Sequence, residues 1–513
     1  MISRLARFAA AALLLSLGCA GPGPRLFPVV PGEVRSLSDG GADRLFKTKK
    51  HGALDYCEHI DETGRVSVLR FDTNGDGEFD LDVPRASIKG DDRQLIILID
   101  SEPFEVVRSL YEQGRFRLFY PPSRTISPFP VMTDLSFSEF FGVSPCPGAE
   151  SEFYDGKKLE GGYTNYVHQT NEPWLKCVDY DMANVAHAFA YYGSHAWFDH
   201  ELHYIQKYFM EGCKSPYIGY CVGTSCVGAQ YGRDGHQAAM IRLDRMCERI
   251  MHDTQGRVQI TLMSDHGHNM MASKRVPIGE TLERCGYRVS KTLKKRRDVV
   301  VPEFGTVTCA VIYTLDAEDV ARDVVGIEGV VQTMYLDSND EVVVLCRGGR
   351  ARISHKGDSF RYVAEMGDPL HMMPFWGKLV SDGKADAAGF VRDDVLFDAT
   401  KDHEYPDSIH RIWRAFHGLM QHTPQVMVAV ADGYHCGSKL MSEIYSMQAA
   451  HGNLGMLSSS GVVITTAGRL PPVMRMQDLA NELRKVGVPV PQGEPLANAN
   501  ADSGARCDSS SNR

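Results

Sequence analysis

Two short apolar runs, residues 95–99 and 258–263, stop abruptly at carboxylates: Asp100 closes the first, and Ser264-Asp265-His266-Gly267-His268 follows the second. Apolar runs of this length, without the alternation of a half-exposed strand, read as strands of a parallel sheet buried on both faces. Helical periodicity surrounds them. It is found at 105–113, at 234–251 with Met240, Leu243, Cys247 and Ile250 on one face, and at 408–419 with Ile409, Ile412, Trp413 and Phe416. Asp234 followed by Gln237 forms a capping box at the start of the second helix. The pattern predicts an α/β fold, a doubly wound and mainly parallel sheet flanked by helices, whose sites form beyond the carboxyl ends of its strands. Asp100 and Asp265 would both lie there.

At the amino end, Arg4 and Arg7 precede an apolar run over 8–17, followed by Gly18 and Cys19. That run is too short to span a bilayer and reads as an export signal over 1–19. Its small residue before Cys19 is similar to a bacterial lipoprotein cleavage box. The expectation is an exported protein of the cell envelope or periplasm, held at the membrane by a lipid on Cys19; an ordinary secretory signal with an incidental cysteine is the alternative. Residues 20–90 form a turn-rich β segment. Within it, Asp72, Asn74, Asp76 and Asp80 surround Gly75 and Gly77 in a spacing similar to an EF-hand loop, although Val83 replaces the bidentate glutamate at position twelve. This turn could hold Ca2+ or be a plain acidic turn. Residues 91–285 and 376–491 are expected to build the α/β domain, 286–375 a small α+β insertion with a helix at 317–325, and 492–513 a polar disordered tail.

The 65 acidic and 55 basic residues give a net charge of -10, which supplies no footprint for a polyanion, so no polymeric nucleic acid is expected as partner. The basic cluster of Lys291 and 294–297 reads as a solvated loop. Thirteen cysteines occur without a C-x-x-C; several sit in apolar periodic segments and read as core thiols, with disulfides left open.

Asp265 and His266, adjacent at a strand end, can both bend toward one cation such as Zn2+ or Mn2+. Thr133, taken alone, could simply cap a helix. What gives these residues weight is their order in the chain: Asp100, then Pro128-Phe129-Pro130-Val131-Met132-Thr133, then Ser264-Asp265-His266-Gly267, then His451-Gly452 before a strand at 461–466. Taken together, from about Arg93 to about Leu483, these segments resemble the alkaline phosphatase superfamily, particularly its type I phosphodiesterase and nucleotide pyrophosphatase branch. The resemblance implies a metal-dependent phosphoric ester hydrolase acting on a small phosphate ester. Asp100, Thr133, Asp265 and His266 would share one metal, with Thr133 as ligand and nucleophile.

The resemblance also implies a second metal, held by a D-x-x-x-H-x-x-G motif and His451. Here the chain departs from the pattern, with Ser225 in place of the aspartate and Ala229 in place of the histidine. Asp234 and His236 could substitute only by turning back, and a rival placement on Asp181 and His187 has the wrong spacing. The alternative function is accordingly a catalytically impaired relative, an envelope protein that binds without turnover.

Overall fold

The computed structural model describes residues 22–28, 31–48, 52–85, 93–162, 172–182, 187, 190–191, 194–491 and 493. The expected signal with Cys19 and nearly all of the polar tail lie outside the described residues. A six-stranded sheet is built from strands Tyr217–Cys221, Arg93–Ile99, Val258–Ser264, Ser460–Thr465, Ser123–Ile126 and Val473–Arg475, in that spatial order. Five of them run the same way; Ser460–Thr465 alone is reversed. The apolar runs therefore form central strands of a mainly parallel sheet, as their composition requires.

Successive side chains of the Arg93–Ile99 strand are buried on alternate faces of the sheet. Leu95, Ile97 and Ile99 join Val106, Leu110, Leu243 and Ile250 on one face, while Ile96 and Leu98 join Phe137, Phe140, Leu479 and Leu483 on the other. The first face is covered by helices Phe104–Glu112, Ser194–Glu211 and Gly223–Asp253, the second by Thr133–Phe141 and Met476–Lys485. Each of these buried side chains contributes roughly 1.5–3 kcal/mol, so the sheet is both the core and the rigid base for whatever its edge carries.

The two largest of the four other sheets among the described residues attach to this base. An antiparallel meander of five strands between Glu33 and Pro84 packs Tyr56, Leu69 and Phe71 into the first core. It is also tied there by Arg117, whose guanidinium reaches the buried Glu58 and Glu248 at 2.5 and 2.6 Å. A nine-stranded, mainly antiparallel sheet carries helix Ser408–Phe416 on one face and Ala317–Val325 on the other. This sheet reaches beyond the 286–375 span expected for an insertion. Strand Val426–Val430 pairs with both Cys309–Thr314 and Val330–Leu336, and Val391–Arg392 extends its far edge.

The helix expected from Asp234 is present: Gly223–Asp253 is two helical stretches joined across a kink at Gly232, and the second runs from beside Asp234 to Asp253. Eleven cysteines among the described residues are free thiols, seven of them buried. No helix among the described residues is long and apolar enough to cross a membrane.

Candidate active site

The site lies where four strands deliver their next residues to one edge of the central sheet. Ser264 is in register with Ile99, so Asp100 and Asp265 emerge side by side. Strand Tyr217–Cys221 leads into the helix bearing Ser225, and Ser123–Ile126 leads to Thr133. His451 reaches the same edge because the reversed strand starts there, with Ser460 opposite Ile126.

Ligand atoms of Asp100, Asp265 and His266 lie within 4.8 Å of one another, all three residues buried. Thr133 Oγ1 is 3.3 Å from His266 Nε2. It does not cap its helix. Met132 holds the N-cap position in an extended conformation, and Thr133 is the first helical residue, its hydroxyl turned to the cluster. The structure thus brings together the four residues implied for one metal.

Hydrogen bonds fix what these groups present. His266 Nδ1 is 3.1 Å from the Gly267 carbonyl, an acceptor, so Nδ1 carries the proton and Nε2 offers a lone pair. That lone pair faces Asp265 Oδ2 at 3.1 Å, a second acceptor with no well-aligned donor of its own. Two buried acceptors in contact require a proton or a cation between them. Burial lifts the Asp265 carboxyl to about 7, against the pull of the Ser101 N–H, the Thr133 hydroxyl and the His266 N–H. Asp100 is raised by burial and by the neighbouring Asp265 charge, and burial pushes His266 down to about 4. Two carboxylates and a neutral imidazole, one oxygen orphaned, are a donor set that fits a divalent cation of the Zn2+ or Mn2+ kind. Ser101 and Tyr220 donate to Asp100 at 2.5 and 2.8 Å and hold it in place.

The residues aligned with a second metal do not converge in this way. Ser225 Oγ contacts Ser101 Oγ at 3.2 Å, and Ala229 packs with Met447 and Ala450. Neither supplies a carboxylate or an imidazole. His451 donates from Nδ1 to the Val131 carbonyl at 2.8 Å and stacks on His266 with ring centroids 4.0 Å apart. Burial, then the neighbouring His266, drives its pKa down to about 3. Asp181 and His187 face each other at 3.5 Å, outside the Asp100 group.

Three groups missed or set aside in the sequence reading do converge. His236 Nδ1 lies 2.9 Å from Glu102 Oε2, and His236 Nε2 lies 3.1 Å from His268 Nδ1, all within the buried interior. A second histidine two places after His266 was the available signal for His268. For Glu102 there was none beyond its place two residues after Asp100.

A cavity of about 260 Å³ opens over the site, lined by Asp100, Thr133, Ser225, His268 and His451 and walled by Trp174, Tyr191, Phe304 and Tyr445. The acidic loop lies elsewhere, in the hairpin joining Val66–Phe71 to Leu81–Pro84. There the carboxylates serve the loop's own backbone: Asp72 accepts from Gly75 and Gly77, Asp76 from Glu78, and Asp80 from Thr73, while the Asn74 amide oxygen accepts from Asp76.

No family model matches the chain, and no curated protein matches it. Among solved structures, the chain is similar to murine ectonucleotide pyrophosphatase / phosphodiesterase 5, with a TM-score of 0.41 and 9% identity over 78% of this chain and 96% of that one. The human ectonucleotide pyrophosphatase / phosphodiesterase 5 gives a TM-score of 0.44 at the same identity and coverage. At such identity the chemistry has to be read from the site itself.

Proposed function

We propose that this chain hydrolyses a phosphoric ester, with Thr133 as nucleophile and Asp100, Asp265 and His266 as ligands of one divalent cation. The observation that carries the reading is the Thr133 hydroxyl 3.3 Å from the Nε2 lone pair of His266, beside a buried carboxylate oxygen that lacks a donor. A cation bound there would lower the pKa of the hydroxyl and offset the charge that develops on the phosphoryl oxygens. Thr133 Oγ1, at the first turn of its helix, attacks phosphorus and forms phosphothreonine as the alcohol leaves. The N–H groups of that first turn have no partner within the helix and are available to the phosphoryl oxygens.

The test is turnover of chromogenic phosphate mono- and diesters by protein loaded with Zn2+ or Mn2+. Thr133→Ala is expected to lower the rate about 10³-fold or more, and unchanged turnover would remove the nucleophile assignment. Ser225 and Ala229 favour a second reading, a relative that binds esters without turning them over; it predicts ester binding with no product in any metal. We further propose that the protein works outside the cytoplasm, lipid-anchored through Cys19, so that Cys19→Ser expressed in a bacterium leaves the membrane fraction.

A further inference from the structure

The kink in helix Gly223–Asp253 has a chemical result. Gly232 adopts φ 59° and ψ -138°, a left-handed φ that glycine accepts without strain. The redirected chain lays His236 back over Gly228, so closely that a Cβ at 228 would stand 2.1 Å from His236 Nε2. With Glu102 as a carboxylate, His236 Nδ1 donates to it; His236 Nε2 then accepts from His268 Nδ1, and His268 keeps a lone pair on Nε2. That nitrogen has no hydrogen-bond partner among the described residues. His268 lines the cavity together with Thr133, Ser225 and His451.

Ser225 and Ala229 cannot build a second cation site, and this hydrogen-bonded chain ends in the same cavity. We propose that the protein works with one tightly held cation and that the Glu102–His236–His268 chain takes the place of a second. His268 Nε2 accepts a hydrogen bond from the water that attacks phosphothreonine and holds its oxygen toward phosphorus. This rests on the hydrolase reading above. In that step the water oxygen bonds to phosphorus and the P–Oγ bond of Thr133 breaks, its electron pair going to Oγ. One water hydrogen ends on Oγ and the hydroxyl stays on phosphorus. His268 touches the reacting water, whereas His236 and Glu102 are positioning residues that fix which ring nitrogen of His268 is bare.

The test begins with the unmodified protein. After gel filtration, one ion per chain is expected, in wild type and in His268→Ala alike. Two tightly held ions in wild type, one of them lost in His268→Ala, would overturn the proposal by making His268 a ligand. In rapid-quench kinetics with a chromogenic nitrophenyl ester, His268→Ala should release its first nitrophenol at the wild-type rate. Later turnovers should slow about 10²-fold, the scale of a misplaced reactant, as phosphothreonine accumulates. Equal slowing of both phases, or of neither, contradicts the role. His236→Phe should reproduce the slow phase, and 15N NMR of wild type should show His268 bearing its proton on Nδ1. If wild type forms no phosphothreonine, the hydrolase reading fails separately; a second ion, or His268 protonated on Nε2, still overturns the one-cation arrangement.

Discussion

The two halves of the site share one sheet edge and one degree of burial, yet they present opposite chemistry. In the half formed by Asp100, Asp265 and His266, the buried acceptors outnumber the donors, and Asp265 Oδ2 is left without one. In the half formed by Ser225, Glu102, His236 and His268, His236 links Glu102 Oε2 to His268 Nδ1, and a single carboxylate oxygen, Glu102 Oε1, is left over. Two carboxylates that face one bare imidazole nitrogen call for a cation; a single carboxylate that already accepts from a histidine does not. The contrast teaches that one edge can hold both an ion site and its replacement, provided that the backbone, here Gly232 and Gly228, lets a histidine return.

The largest effect should come from the charged half. Asp265→Asn removes the negative charge from one of three ligand groups, and metal affinity, measured by competition with a chelator, is expected to fall at least about 10²-fold. An unchanged affinity would mean that the cation sits elsewhere. Gly228→Ala, in contrast, strikes only the hydrogen-bonded half, by driving a methyl group into His236. It should cost about 1–3 kcal/mol of stability in denaturant titrations, the usual scale of overpacking, with the ion count intact. Loss of the ion in Gly228→Ala would show that the two halves are one unit.

The smallest effect concerns the support beneath the second half. Glu201 is buried, accepts from Val222 and Gly223 at the start of the helix carrying Ser225, and is pushed up to about 7, chiefly by burial. A carboxyl near 4.3 in the unfolded chain and about 7 in the folded one binds its proton more tightly when folded. Its contribution is therefore complete at low pH and is lost as pH rises through that window. Glu201→Gln, which keeps the shape, should flatten stability between about pH 4.5 and about pH 7 in urea midpoints. An unaltered pH profile would mean that Glu201 is ionised without penalty.

Much of the charged half could be read in the chain because its residues follow directly from apolar strands. Asp100 and Asp265-His266 stand at the first positions after two buried runs, and the register of Ser264 with Ile99 does the rest. The other half was hidden for a physical reason. Glu102 and His236 lie 134 residues apart, and their contact depends on a backbone kink at Gly232 that helical periodicity does not reveal; the capping box at Asp234 marked the second helical stretch but not the direction in which Gly232 turns it. Strand Val426–Val430 was missed similarly, because its apolar run follows a helix of the expected α/β domain while its partners lie in the second sheet.

The central claim is that Thr133 carries the phosphoryl group, and its most direct test is to catch that state. Protein loaded with Zn2+ or Mn2+ would be mixed with a turned-over ester, quenched in acid during steady state, digested and sequenced by mass spectrometry. Phosphate is expected on Thr133 in wild type, and neither phosphate nor appreciable turnover in Thr133→Ala. Phosphate on another side chain, or turnover that survives Thr133→Ala, would contradict it.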